Sequence, residues 1–304
     1  MLAAITLASA CALGPSEQRP AAETELRRLV DIGGRSLSLR CTGRQNGPIV
    51  VLETGAVASS VLYWPLQDRI ATFTRVCTYD RAGLGWSDPV PTGRTFETMA
   101  DDLDRLLRRA GVRGPFILAG HSMGGFVVRL VAARRPVDIA GVILIDASEE
   151  RVSLSPDGIA GNDQTAAQLG RLASAAAAGL STVVDAALPI PPGVPSEAVI
   201  IRAPDVIRAG QDELGAFGRT QAADRGPAGL GVLGDIPLIV LSRGRMADPL
   251  SSRDLFWREG QLRLLGLSTR SEQMIAERSG HNIHLDQPEA IADAVRRLIE
   301  QPKQ

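Results

Sequence analysis

With 304 residues, the chain is long enough to bury a sizeable core, as one domain carrying an inserted segment or as two domains. Its composition, 44% hydrophobic and 22% charged, is that of a globular protein. A formal net charge of −1 leaves no electrostatic footprint for nucleic acid or an acidic membrane surface and excludes recognition driven by charge.

Met1 to Leu13 is almost entirely apolar or small, and the sequence turns polar at Gly14-Pro15-Ser16-Glu17. The stretch is too short to span a bilayer, and Ala8-Ser9-Ala10 before Cys11 resembles a lipoprotein cleavage site. Residues 1–20 are therefore expected to be a signal or lipoprotein-type segment with Cys11 as candidate lipid anchor. The protein would then be exported: periplasmic, secreted or lipid-anchored. No Lys or Arg precedes Arg19, so the charged start of such signals is missing; without a signal the chain would be cytoplasmic. If Cys11 is removed or lipidated, Cys41 and Cys77 remain as an even pair, as an oxidising compartment favours. Two buried thiols acting as small hydrophobes are the alternative.

Leu26 to Val30 and Ser36 to Cys41 flank a glycine turn and predict a β-hairpin. Continuous apolar runs of strand length follow at Ile49 to Leu52, Arg75 to Tyr79, Pro115 to Ala119, Gly141 to Ile145 and Pro237 to Leu241. Runs without alternation suit strands buried on both faces, hence a mostly parallel sheet covered by helices. Thr95 can cap a helix with Met99, Leu103, Leu106 and Leu107 on one face. A second helix is predicted from Ser122 to Arg135. The last has Asp286 as candidate cap, Pro288 in its first turn, and Ile291, Val295, Leu298 and Ile299 as its stripe. Alternation stops between Glu149 and Gly231, where Ala-, Pro- and Gly-rich sequence predicts a mostly helical insertion. The expected organisation is a core of residues 21–148 and 232–304 with residues 149–231 as a lid.

Pro115 to Ala119 runs into Gly120-His121-Ser122-Met123-Gly124-Gly125, a strand, a G-x-S-x-G turn and a helix. Glycines two residues before and after the serine permit a sharp turn that projects its hydroxyl from the sheet edge. The helix N-terminus there favours developing negative charge. With Tyr79-Asp80-Arg81-Ala82-Gly83-Leu84-Gly85-Trp86-Ser87-Asp88 and Ser279-Gly280-His281 to Asp286-Gln287-Pro288, this elbow resembles the α/β-hydrolase superfamily from about Glu25 onward, in its lidded esterase and lipase-like branch. The resemblance implies about eight strands, with the lid inserted after the sixth, and Ser122 as nucleophile. The Asp80 loop is expected to shape a turn rather than take part in chemistry.

Serine needs a base within hydrogen-bond reach, and the chain has three histidines. His121, adjacent to the nucleophile on the elbow, is expected to pack or bond locally. His281 follows a predicted strand, Glu272 to Glu277, where the resemblance places the catalytic histidine, with His284 in reserve. Two carboxylates compete to orient the imidazole. Asp146 ends the strand Gly141 to Ile145, as in hydrolases similar to pancreatic lipase. Asp248 lies beyond the next strand, the more usual family location, and Asp254 further still. Both Asp146 and Asp248 stay open.

The oxyanion of an acyl-transfer intermediate needs backbone N–H donors. Met123 is one candidate. The resemblance assigns the other to the residue after a His-Gly pair, but this sequence reads Leu52-Glu53-Thr54-Gly55-Ala56, which leaves Ala56 as candidate donor without the histidine. Trp64 is expected to pack below the pocket. In the implied fold the strands holding Cys41 and Cys77 are neighbours, which makes a Cys41–Cys77 disulfide reachable. The expected activity is hydrolysis of a carboxylic ester, less often an amide, of a small, partly hydrophobic substrate through an acyl-enzyme. No metal or organic cofactor and no nucleic-acid partner is implied. Perhydrolase or carbon–carbon hydrolase chemistry uses the same residues, and a ligand-binding protein on a hydrolase scaffold is the alternative from another class.

Overall fold

The apolar runs become the inner strands of an eight-stranded sheet in a computed structural model that describes residues 27–89, 93–220 and 230–301. The expected signal segment with Cys11, and part of the insertion (221–229), lie outside the described residues. In chain order the strands are β1 (Arg28–Asp31), β2 (Ser36–Thr42), β3 (Ile49–Glu53), β4 (Val76–Tyr79), β5 (Phe116–His121), β6 (Ile139–Ile145), β7 (Leu238–Arg243) and β8 (Ser271–Ala276). Their spatial order is β1-β2-β4-β3-β5-β6-β7-β8; the β1–β2 and β2–β4 pairings are antiparallel and every other pairing is parallel.

Every residue of β3, β4 and β5 is buried, because helices cover both faces. Side chains alternate across each strand. Val51, Leu118 and Val142 therefore pack with Leu103, Leu106 and Phe126 on one face. Val50, Leu52, Ile117 and Ile143 pack with Ile70, Ile291 and Val295 on the other. The helices are α1 (Trp64–Ala71), α2 (Phe96–Arg109), α3 (Gly124–Arg134), α4 (Glu150–Ser153), α5 (Pro156–Ala177), α6 (Ser181–Ala187), α7 (Pro204–Arg219), α8 (Ser252–Leu264), α9 (Ile283–Asp286) and α10 (Pro288–Glu300). Helices α4 to α7 all lie between β6 and β7, and α5 and α7 pack along one another. Among the described residues no helix is long and apolar enough to cross a membrane.

Thr95 caps α2 in a reciprocal box: its hydroxyl accepts the Thr98 N–H, while the Thr98 hydroxyl accepts the Thr95 N–H. Two expected helix starts shift. Helix α3 begins at Gly124 rather than Ser122, because Ser122 holds φ +50° and cannot join a right-handed helix. Helix α10 is entered through Gln287 with Pro288 in its first turn, not through Asp286. Asp286 ends α9, and its carboxylate accepts the Gly280 N–H at 2.9 Å, so it serves the histidine loop instead. Trp64 stacks on Trp86, away from the cavity described below. Cys41 of β2 stands in register with Cys77 of β4, and the two form a disulfide with Cα atoms 4.0 Å apart.

Candidate active site

Ser122 sits between the end of β5 and the start of α3, its backbone in the left-handed region. The turn closes so tightly that neither motif glycine could carry a side chain. A Cβ on Gly120 would lie 2.6 Å from the Gly124 carbonyl oxygen, and one on Gly124 would lie 2.6 Å from the Thr54 carbonyl oxygen. The Ser122 N–H is tied to the Ile145 carbonyl at 3.1 Å, which fixes the elbow to the end of β6.

The first residue after β6 is Asp146, fully buried at φ +40°. Its Oδ2 lies 2.6 Å from His281 Nδ1, and its Oδ1 accepts the Trp257 indole N–H at 3.0 Å and the Arg243 backbone N–H at 3.3 Å. The Arg243 guanidinium stands 3.6 Å from Oδ2 and is itself paired with Asp254 at 3.3 Å. Asp248, the competing candidate, is on an exposed loop, where it accepts the Leu250 N–H. The geometry thus brings Asp146, not Asp248, to His281. Ser122 and His281 open into one cavity without a direct hydrogen bond, the looser spacing common in unliganded sites of this type.

All three histidines converge here. His121 Nε2 meets the His281 carbonyl oxygen at 2.9 Å, so Nε2 carries the proton; Nδ1 then accepts from the Tyr63 hydroxyl at 2.7 Å. That hydroxyl in turn accepts the Gly55 N–H at 3.3 Å. His284 stacks on Tyr63 with ring centroids 4.0 Å apart. Burial, reinforced by the neighbouring imidazoles, holds His121 well below the ordinary histidine range and His284 at about 3. Both remain neutral beside His281, which alone of the three is half-exposed.

The loop after β3 presents its amides to the same space. The Gly55 N–H goes to Tyr63, that of Val57 to Glu213 Oε2 at 2.9 Å and that of Ala58 to the Gly55 carbonyl. The N–H groups of Ala56 and Met123 have no acceptor among the described residues. Glu53, where the histidine was missing, is buried and accepts from the Tyr79 hydroxyl and from Arg81. Burial pushes its carboxyl up, against the pull of Arg81 and Tyr79. Arg81 also bonds Glu213 through Nε (2.6 Å) and Nη2 (2.9 Å), and both flanking carboxylates hold it protonated against its own burial.

The cavity measures about 450 Å³. The loop after β3, Leu62, Tyr63 and the histidines form one side; Leu188, Pro189, Ile201, Ile207 and Leu214, from the segment between β6 and β7, form the other. Among the described lining residues none is Arg, Lys, Asp or Glu.

A family model described as alpha/beta hydrolase fold matches residues 48–189, a stretch that holds β3, the elbow, Asp146 and the start of the helical segment. The chain has the α/β-hydrolase fold. Among solved structures, a thermophilic esterase from Thermogutta terrifontis superposes with a TM-score of 0.65 over 90% of this chain and 97% of its own, at 23% identity. Among curated relatives, the uncharacterized protein YqjL of Bacillus subtilis is 26% identical over 82% of this chain and 83% of its own. The 2-(acetamidomethylene)succinate hydrolase of Mesorhizobium japonicum is 34% identical over 40% of this chain and 42% of its own. Three others among the first relatives are matched over only 14% to 35% of their length.

Within this α/β-hydrolase fold, sequence reasoning missed Trp257, Arg243, Tyr63 and Glu213. Glu213 had only an indirect signal: Glu53, an acid in a strand otherwise wholly apolar, demands a buried cation, and Arg81, which supplies it, has donors left for a second buried acid. Trp257, Arg243 and Tyr63 carried no comparable signal.

Proposed function

We propose that the protein is a serine hydrolase that cleaves a neutral carboxylic ester with an apolar acyl or alcohol group through an acyl-enzyme. One observation carries the proposal: His281, bonded to a buried carboxylate at 2.6 Å, shares a cavity with a serine on a strained elbow and the unengaged Ala56 N–H, and the Met123 N–H next to that serine is also unengaged. In the first half-reaction the Ser122 oxygen attacks the carbonyl carbon and its proton passes to His281 Nε2. Asp146 stabilises the imidazolium. The Ala56 and Met123 N–H groups bind the oxyanion. Collapse breaks the bond to the alcohol oxygen, which leaves with the proton from His281. Water then repeats the sequence on the acyl-enzyme and releases the acid and free Ser122.

Neutral substrates are favoured because the described lining offers no charge to replace the hydration of a carboxylate, whose transfer into an apolar space is costly. On this ground a succinate such as the one named for the Mesorhizobium relative is a poor fit. The segment 149–231 acts as the lid, since its apolar side chains form one wall. The Cys41–Cys77 disulfide supports an oxidising location outside the cytoplasm.

The test is a panel of p-nitrophenyl esters from acetate to octanoate, with a succinate half-ester, together with fluorophosphonate labelling of wild type and Ser122→Ala. Ser122-dependent labelling and turnover, with neutral acyl esters preferred at least tenfold over the succinate half-ester, are expected. Labelling or hydrolysis that survives Ser122→Ala, or none in wild type, would refute the proposal.

A further inference from the structure

The helical segment contributes more than a wall. Glu213 of α7 is completely buried and reaches the loop that carries Ala56. Its Oε2 accepts the Val57 N–H at 2.9 Å, and both its oxygens bind Arg81. From the same guanidinium, Nη2 donates to the Gly55 carbonyl at 2.7 Å and Nη1 to the Thr54 carbonyl at 2.8 Å. The Arg81–Glu213 pair thus grips the loop by two carbonyls and one amide, on either side of the Ala56 N–H that is left unengaged. Val57 itself holds φ +68°, a conformation that a β-branched residue adopts only under external constraint. The constraint also comes from α7, where Gly210 packs so close that a Cβ on it would lie 2.6 Å from Val57 Cγ1.

We infer that Glu213 is a positioning residue of the oxyanion hole, through which seating of helix α7 over the cavity sets the aim of the Ala56 N–H. This inference rests on the serine-hydrolase proposal above. It makes the helix that closes the cavity the same element that completes the transition-state site: with α7 displaced, the Val57 N–H loses its acceptor and Arg81 loses one of its two carboxylates. Ile207 and Leu214 line the cavity from the same helix, so substrate contact with them favours the seated state.

The test compares Glu213→Ala and Glu213→Gln with wild type in the full chain. Active sites are titrated with a fluorophosphonate, so that rates refer to folded enzyme only. The readouts are kcat and KM for the best p-nitrophenyl ester, and the inhibition constant of an alkylboronic acid, whose tetrahedral adduct on Ser122 places an oxygen in the oxyanion hole. Loss of one oxyanion donor costs on the order of 10²- to 10³-fold in kcat, which bounds the effect of misaiming it. For Glu213→Ala, kcat per titrated site is expected to fall at least tenfold, boronate affinity to fall in step, and KM to change less than threefold. Glu213→Gln should lie between, because its amide oxygen still accepts the Val57 N–H. The isosteric Gln variant is the one to read if the Ala variant does not fold.

A purely structural Glu213 would lower the melting temperature and the titratable fraction while leaving kcat per site and boronate affinity within twofold. That result overturns the inference and leaves the hydrolase proposal standing. Absence of Ser122-dependent turnover in wild type would remove both.

Discussion

Replacing Asp146 by Asn tests the acid in a way the structure makes unusually specific. Two N–H donors, from the Trp257 indole and the Arg243 backbone, already point at Oδ1. An Asn side chain keeps both bonds only if its carbonyl oxygen takes the Oδ1 place, which turns its NH₂ toward His281 Nδ1. The opposite flip would set the NH₂ against two donors and leave both unpaired, at roughly 1 to 3 kcal/mol each. Facing an NH₂, Nδ1 must accept, so the imidazole proton moves to Nε2, the nitrogen that has to take the Ser122 proton. A serine hydrolase with the wrong tautomer loses about 10⁴-fold in kcat. That is ~5.4 kcal/mol at ~1.36 kcal/mol per tenfold. Asp248→Asn, on its exposed loop, should stay within about twofold of wild type, since no catalytic group touches it. The assay is steady-state hydrolysis of a p-nitrophenyl ester at pH 7.5, with melting temperatures recorded to confirm folding. An Asp146→Asn enzyme within tenfold of wild type, or an Asp248→Asn enzyme as impaired as the first, would refute the assignment.

Gly55→Ala puts a Cβ 2.8 Å from His121 Nδ1, on a ring pinned by Tyr63 and the His281 carbonyl; a displacement of this kind near the reacting groups should cost roughly 10²-fold in kcat/KM, and activity within threefold of wild type would count against it. His284 titrates near 3 when folded and near its ordinary value when unfolded, so the unfolded state binds the extra proton and this contribution to stability, full above pH ~6.5, declines as pH falls toward 3. The change is of the order of 4 kcal/mol, so His284→Phe, which keeps the stack on Tyr63, should flatten the acid side of a stability–pH curve measured by urea unfolding; curves parallel to wild type would contradict it. Cys41→Ser with Cys77→Ser opens a link spanning 36 residues, worth about 4 kcal/mol in loop-closure entropy, or roughly 10 °C in melting temperature. Free-thiol titration of wild type that reacts at both Cys41 and Cys77 under non-reducing denaturation would show that link to be absent.

The parts legible in the sequence were those written in local chemistry. Apolar runs long enough for a strand and flanked by glycine or proline marked the inner sheet, because both faces of β3, β4 and β5 are covered and no polar residue can alternate there. Thr95 declared its cap by a side chain that bonds three residues away. Asp286 misled for the same reason: it stands where a cap would, but the Gly280 N–H, six residues back, claims its carboxylate. The elbow around Ser122 was legible because a tight turn needs glycine at fixed offsets. The partner of His281 was not, since Asp146 and Asp248 both follow strands of the sheet and only the convergence of β6 with the loop after β8 separates them. Glu213 lies 132 residues from Arg81, and nothing in its own surroundings sets it apart from an ordinary helical acid.

Among the described residues, Val57, Ser122 and Asp146 are the only non-glycines with positive φ, and all three stand just past the ends of β3, β5 and β6. These strands are adjacent in the sheet, so the strained positions sit side by side along one edge. Left-handed backbone at non-glycine residues costs of order 1–3 kcal/mol each and persists only where surrounding contacts over-determine it. Each has such contacts: Val57 is held by Glu213 and Gly210, Ser122 by the close approach at Gly120 and Gly124, and Asp146 by its N–H to the Leu241 carbonyl at 2.7 Å and its three side-chain bonds. One device, a sharp turn at a strand's C-terminal end, thereby presents a loop amide and a hydroxyl to one cavity and a carboxylate to the histidine that lines it. The covered sheet is stiff enough to hold all three turns against their cost. Of the three, Val57 depends on helix α7 from the segment between β6 and β7, which makes the loop after β3 the part of the site most sensitive to what occupies the cavity.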